Sequence, residues 1–349
     1  MNLSDKQKKI IGELFFAFLA TIIILGSFFG YWNSAPADQT CASCHEIVGS
    51  VHTFANSAHQ ELSCKECHGT ALSNGLHSMK EKSMMVVNHF RGANTEDIRM
   101  NEYQVLEVMN NCKRCHGSEY AKWKSGGHSA TYERIFLDSV HNSKEQLNYD
   151  CLRCHGMFFE GTMEELVKPV SVNGPWKLTD KKRSEMHTIP CMACHMVHTD
   201  GYTTSELLAE DPYSDSARFF PPHSPGLSFY DRAEKANYPV ELMSTIKLYG
   251  ADTLLTVSSD GVTRNCVQCH SPNAWHEAGT SDDRIPRGVH KGLSCAACHE
   301  PHSNYERNSC ATCHPAISNC NLDVTQMNTT YADKNSPNNI HFVSCTDCH

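Results

Sequence analysis

The 349-residue sequence predicts a mostly α-helical chain with extensive irregular structure, one N-terminal membrane-spanning helix, and an interior that side chains alone do not fill. Three observations predict it. Eighteen of the 19 cysteines fall into nine copies of one pattern, C-x-x-C-H. An uncharged run of 19 residues stands near the N-terminus. The 309 residues from Cys41 to His349, shared among nine copies, leave only about 34 residues to each.

The apolar run comes first in the chain. Leu14 to Trp32 reads LFFAFLATIIILGSFFGYW, about 28 Å as a helix, close to the ~30 Å hydrocarbon core of a bilayer. Lys6, Lys8 and Lys9 precede it, and Tyr31 and Trp32 stand where interfacial aromatics belong. Positive-inside reasoning then puts the N-terminus in the cytoplasm and everything after Asn33 outside it. The competing reading is a cleaved signal peptide, for which Ala35-Pro36-Ala37 offers an A-x-A site. The run exceeds the 7–15 residues of a usual signal core, so the expectation is a retained, single-pass anchor in the cytoplasmic membrane. Under either reading the chain is exported to the periplasmic side.

The nine motifs begin with Cys41, Cys44 and His45 and continue with Cys64, Cys67, His68; Cys112, Cys115, His116; Cys151, Cys154, His155; and Cys191, Cys194, His195. Cys266, Cys269, His270; Cys295, Cys298, His299; Cys310, Cys313, His314; and Cys345, Cys348, His349 complete them. Chance would give about 0.07 matches in a chain of this composition. Cysteines three apart lie on one face of a helical turn, where both sulfurs can form thioethers to the two vinyl groups of one haem. The histidine that follows is carried beneath the ring as an axial ligand. Zinc sites use C-x-x-C pairs too, but two pairs normally share one metal and none requires the adjacent His. A disulfide framework suits an exported chain and leaves the nine histidines unexplained. The expectation is nine covalently bound haem c groups.

Composition takes a new meaning from this. Much of the interior becomes porphyrin, a haem-filled core of the multihaem cytochrome c kind, wrapped by short helices and long connections with almost no sheet. The formal net charge of −9 omits two propionates on each haem, and an acidic surface argues against a nucleic-acid partner. Motif starts are 15 to 75 residues apart, so no strict repeat runs through the chain. A local one does, because His187-x3-CMACH-x2-His198 and His290-x4-CAACH-x2-His302 share a layout. The longest haem-free stretch, Met196 to Asn265, carries the Pro221-Pro222-His223-Ser224-Pro225 turn and then a helix expected around Tyr238 to Tyr249, as a lid or a docking surface. The domains expected are an anchor over 1–33, a tetrahaem region over 34–156 and a pentahaem extension over 157–349 with the haem-free insert 196–265.

Thirteen histidines lie outside the motifs, enough for a second axial ligand at every iron. The candidates are His59, His128, His141, His187, His198, His276, His290, His302 and His341, with His52, His77, His89 and His223 left over. Met157, two residues beyond His155, reads as a packing methionine. Cys320 stands at no haem-binding spacing and reads as an unpaired thiol, or as one half of an intermolecular disulfide.

The run CASCHEIVGSVHTFANSAHQELSCKECH, followed by HSMKEKSMMVVNHFRG and NNCKRCH, resembles the opening of the NapC/NirT/NrfH family of membrane-anchored quinol dehydrogenases. The resemblance covers residues 8 to 117. It implies quinol oxidation, from menaquinol or through a quinol-oxidising membrane subunit, beside the first haem at the membrane surface. Lys80 matches the lysine implicated in quinol contact, and His59 a distal haem ligand. Two positions depart from the family pattern: Ile47 replaces a methionine that often ligates the first haem, and Val87 an acidic residue beyond the lysine. His52 becomes a candidate ligand of the first haem. Separately from the family, Leu76, Met79, Val86 and Phe90 form one helical stripe, to rest on a bilayer or pack on a haem.

Three functional classes follow: an electron conduit in anaerobic respiration to a periplasmic or outer-surface redox partner; a multihaem reductase of nitrite, hydroxylamine or a sulfur oxyanion; or a subunit of an extracellular cytochrome filament. All nine motifs end in His, so the lysine-bearing motif of nitrite reduction is absent. If every motif is loaded, denaturing mass spectrometry of the matured protein will show nine haems, an added mass of about 5.5 kDa. Eight or fewer would refute full occupancy.

Overall fold

The chain begins, in a computed structural model, with one long helix, Asp5–Ser34. Ser4 and Gln7 close a capping box: the Ser4 N–H donates to Gln7 Oε1 at 2.9 Å and the Gln7 N–H to Ser4 Oγ at 3.4 Å. Asp5 in the first turn complements the helix dipole. The apolar side chains from Ile10 to Tyr31 are exposed along its length. It is the one helix among the described residues that is long and apolar enough to cross a membrane, which fits either a span or a signal sequence. It ends at Ala35, whose N–H bonds the Tyr31 carbonyl at 2.8 Å before Pro36 turns the backbone away.

The structure describes residues 4–36, 39, 42, 47–69, 84, 86–92, 99–198, 226–243, 247–250, 253–270, 285–303, 307–315, 317, 321, 323, 326 and 341. They fall into two units, Met1–Arg99 and Met100–His349. In the first, helices Val48–Ala55 and Cys64–His68 follow the long helix. Lys65 Nζ, inside the CKECH motif, donates to the Ala35 carbonyl at 2.6 Å, which ties that motif to the end of the long helix. Val86 and Phe90 are exposed, whereas Leu76 and Met79 of the expected stripe lie outside the described residues.

The second unit follows the expected style of short elements. Its longest described helix is Glu102–Cys112, at 11 residues. Sheet is limited, among the described residues, to three two-stranded antiparallel pairs: Val167–Lys168 with Lys177–Leu178, Ser228–Asp231 with Ala236–Pro239, and Tyr249–Gly250 with Thr253–Leu254. The helix expected around Tyr238 to Tyr249 is therefore corrected. Tyr238 pairs with Phe229 across a hairpin, and Pro239 leads into a single 3-10 turn, Val240–Leu242. Asn237 holds the hairpin in place by donating to the Met192 carbonyl at 3.0 Å and to Ser228 Oγ at 2.9 Å. Most of the haem-free insert before it, residues 199–225, lies outside the described residues.

Among the described residues, three small apolar clusters stand where a single large core would be in an ordinary domain of this length. The largest gathers Tyr132, Phe136, Leu147, Leu152, Phe159, Met163, Leu166, Val167 and Leu178. Met157 packs with Val105, Phe158, Ala193 and Phe229, as its packing role required. Leu248, Val267 and Ile285 form the third.

A buried charge pins the first cluster. The Glu102 carboxylate accepts from the Tyr132 hydroxyl and from the Arg183 guanidinium, and Arg183 lies over the rings of Tyr103, Tyr132 and Phe159. Tyr132 in turn crowds Gly156, whose φ of +87° and lack of a Cβ, which would meet the hydroxyl at 2.8 Å, allow the chain to turn just after His155. Burial pushes the Glu102 carboxyl above its usual range, opposed by the Tyr132 hydrogen bond and the Arg183 charge. A raised carboxyl pKa means that the folded state binds more protons, so the burial cost is absent below the ordinary carboxylate range and grows as pH rises through it. Arg183→Met is expected to cost about 3 kcal/mol, as for breaking a buried ion pair. Denaturant unfolding should find that loss larger at pH 7 than at pH 4; a pH-independent change would refute the account.

Candidate haem sites

Seven of the nine motifs lie within the described residues; Cys41, Cys44, His45, Cys345, Cys348 and His349 lie outside them. The seven share one local geometry. CKECH is the helix Cys64–His68 itself. In the other six, the histidine N–H donates to the carbonyl of the first cysteine, at 2.8 to 3.0 Å. That bond closes one turn, so both thiols and the imidazole leave the same short loop.

The starts of these turns are fixed by ordinary capping. Ser63 Oγ accepts from the Lys65 N–H and Ser294 Oγ from the Ala296 N–H. Asp260 caps helix Gly261–Cys266, accepting from the Thr263 N–H at 3.0 Å and the Thr263 hydroxyl at 2.6 Å. Thr263 Oγ1 then accepts from the Cys295 N–H at 3.1 Å, which locks the CVQCH and CAACH turns together.

The motifs of the second unit neighbour one another in an order unlike their sequence order. Cys191 has Cys112 as an electrostatic neighbour; burial and then that neighbour raise its thiol pKa to about 11. Cys194 bonds Asn265 at the edge of CVQCH. The Cys269 thiol hydrogen-bonds that of Cys154, and the Cys266 thiol that of Cys295. Cys298 has Cys310 and Cys313 as electrostatic neighbours. Motifs three to eight therefore form one connected network centred on CVQCH.

Among the described residues, at least four motif histidines face a histidine from outside the motifs. His270 stands 6.0 Å from His128 between ring centres, His195 5.9 Å from His302, His314 6.1 Å from His290, and His299 6.1 Å from His341. This is well beyond the ~3.5–4 Å of touching atoms in stacked rings. Two metal–nitrogen bonds of about 2 Å, plus about 1.2 Å from each nitrogen to its ring centre, give about 6.4 Å for two imidazoles on opposite sides of one iron. The donor set, two thiols on one turn with paired imidazoles at that span, fits haem c.

The remaining sequence candidates are placed as follows. His59 donates its backbone N–H to the buried Ser57 Oγ at 3.2 Å, which orders the S-x-H element. His187 donates from Nδ1 to the Ser129 carbonyl at 2.6 Å, and its Nε2 stands 3.0 Å from Lys124 Nζ. Its pKa is lowered by burial, against the Ser129 bond, with Lys124 adding to the fall. His141 is exposed, with Nε2 3.6 Å from Glu145. His198 is half-buried beside the CMACH turn. Lys80, His276 and Cys320 lie outside the described residues. Sequence reasoning missed the group that orients the His187 ring, the carbonyl oxygen of Ser129. Backbone acceptors carry no residue signature, so nothing in the sequence marked them.

Comparison with known proteins adds two matches. Residues 111–196 match the family model described as cytochrome c554 and c-prime, and residues 255–315 the one described as cytochrome c7 and related cytochrome c. No curated protein and no solved structure matches the chain. The first segment spans motifs three to five and the second motifs six to eight, so both coincide with the connected network. The chain therefore contains cytochrome c domains of these two kinds, which imply electron transfer by a multihaem cytochrome with covalently bound haem c.

Proposed function

We propose that this chain is a membrane-anchored, exported nonahaem cytochrome. It would pass electrons from the quinol pool, directly or through a membrane subunit, to a periplasmic or surface acceptor. The observation that carries the conduit reading is the set of four facing imidazole pairs at 5.9 to 6.1 Å. Haem c supplies reversible one-electron exchange between ferric and ferrous iron. The protein's part is to hold it. Cys266 and Cys269 with His270 and His128, Cys191 and Cys194 with His195 and His302, Cys295 and Cys298 with His299 and His341, and Cys310 and Cys313 with His314 and His290 would make four sites.

Two protein ligands on one iron leave no position for a substrate. This favours a conduit over a reductase, which needs an open or exchangeable site. The proximity of motifs three to eight favours relay, because each attachment turn has at least one other as a neighbour. At the membrane end, the resemblance to quinol dehydrogenases supplies the donor, and the Lys65–Ala35 bond supports it by keeping CKECH beside the end of the apolar helix. Retention of the anchor, the division into an anchor over 1–33, a tetrahaem region over 34–156 and a pentahaem extension over 157–349, and haems at the first and ninth motifs belong to this proposal.

Each of His128→Ala, His290→Ala, His302→Ala and His341→Ala should turn one low-spin haem high-spin and open it to cyanide, as read by low-temperature electron paramagnetic resonance. Unchanged low-spin spectra in all four would overturn the ligand set. Quinol entry is tested separately. Lys80→Met should slow menaquinol-driven reduction in membranes by about tenfold or more, while dithionite still reduces every haem. An unchanged rate removes Lys80 from the site, and an inert wild type removes quinol oxidation.

A further inference from the structure

The two matched segments, 111–196 and 255–315, leave residues 197–254 between them, outside either family model. The hairpin in that stretch, Ser228–Asp231 with Ala236–Pro239, is bonded to the chain around three motifs. At CMACH it joins the backbone of the turn itself. The Ser228 N–H donates to the Cys194 carbonyl at 2.8 Å, the Met196 N–H donates to the Gly226 carbonyl at 2.7 Å, and His195 bridges to Leu227. Asn237 adds its bond to the Met192 carbonyl.

The far end of the hairpin meets CVQCH. Arg264 lies on helix Gly261–Cys266, which opens that motif, and its Nη1 donates to the Val240 carbonyl at 3.0 Å and to the Met243 carbonyl at 3.3 Å. Gly261 packs against Val240 so closely that a Cβ would meet its Cγ2 at 2.8 Å. Just beyond CLRCH, the tip grips residues 159–161. Arg232 donates from Nε to the Phe159 carbonyl at 2.9 Å and from Nη2 to the Gly161 carbonyl at 2.5 Å, and Lys235 pairs with Glu160 at 3.0 Å. Tyr230 stacks on Phe158, with ring centres 3.9 Å apart. Ser228, Phe229 and Val240 are buried, as a segment seated between other elements requires.

We propose that residues 226–243 are an internal clasp that fastens the two cytochrome segments together. It holds the CMACH turn of the first segment and the CVQCH turn of the second in one fixed relation. The sequence suggested a lid or an outside docking surface here; the partner of this surface is the chain itself. Arg264 is the stronger fastening, because hydrogen bonds from a charged guanidinium are about twice as strong as neutral ones.

A separate observation points to the same junction. His195 of CMACH faces His302 of the second segment, and His270 of CVQCH faces His128 of the first. Each pair takes one ring from each segment, so each closes only while the segments keep their relative placement. On the axial-ligand reading above, two haem sites would straddle the junction, and electrons would cross between segments there. The clasp rests on its own hydrogen bonds and stands without that reading.

The test is amide hydrogen exchange in the full-length, matured protein, with haem content checked by mass. Arg264→Leu cuts the clasp at CVQCH, and Asn237→Ala loosens it at CMACH. In Arg264→Leu the amides of Met196 and Ser228, at the opposite end, should exchange faster by about tenfold, the ratio that goes with one lost hydrogen bond to a charged group. In Asn237→Ala the amides of Arg264 and Val267 should also exchange faster, because coupling between two ends is reciprocal. The double variant should fall short of the product of the two effects, since either change already releases the same element. A change confined to the substituted end in either variant, or full multiplicativity in the double, overturns the clasp. Exchange is read without regard to which histidine holds which iron, so failure of the ligand set would leave this result standing. Should either variant mature with fewer haems, Arg264→Lys and Asn237→Ser are read by the same criterion.

Discussion

The structure depends on one hydrogen bond repeated along the chain, from the motif histidine N–H to the carbonyl of the first cysteine. It closes a turn of five residues, and a turn that short needs no large domain to support it. Three kinds of context hold the same turn: the end of an ordinary helix at Cys112 and Cys266, a free-standing helical turn at Cys64 and Cys151, and a 3-10 turn at Cys191 and Cys295. Because the unit is local, the rest of the chain is released from building layers of helix or sheet. It supplies caps, hairpins and small apolar clusters that fix where each turn points.

The motifs and the style of the fold were legible in the sequence because both are local. The C-x-x-C-H spacing, the apolar run and the shortage of residues per motif each bear on neighbours within a few positions. The pairing of histidines was not legible, since His128 meets His270 about 140 positions away and His195 meets His302 about a hundred positions away. The offset of His302 from its own motif suggested a role, but nothing in that offset said that its partner is His195. The helix expected near Tyr238 failed for a related reason. Its apolar spacing suited a helix, whereas Tyr238 answers to Phe229 across a strand pair and to the carbonyl that Asn237 reaches.

The Glu102–Tyr132–Arg183 group is a different kind of solution. A chain with little continuous apolar core can still fix one position firmly by burying a carboxylate and satisfying it twice. The group joins the start of the helix that ends in Cys112 to the ring that crowds Gly156, just beyond His155. It thus relates two attachment turns without either turn taking part.

The long reach between facing rings has a consequence for how such a protein is made. If the chain is exported as proposed, with the apolar helix leading and staying in the membrane, His195 crosses long before His302. Non-local pairings of this kind are slow to close. On that reading the early turns would emerge with one ring in place and its partner still to cross. On the proposed export, secretion and assembly would be out of step by about a hundred residues at that pair.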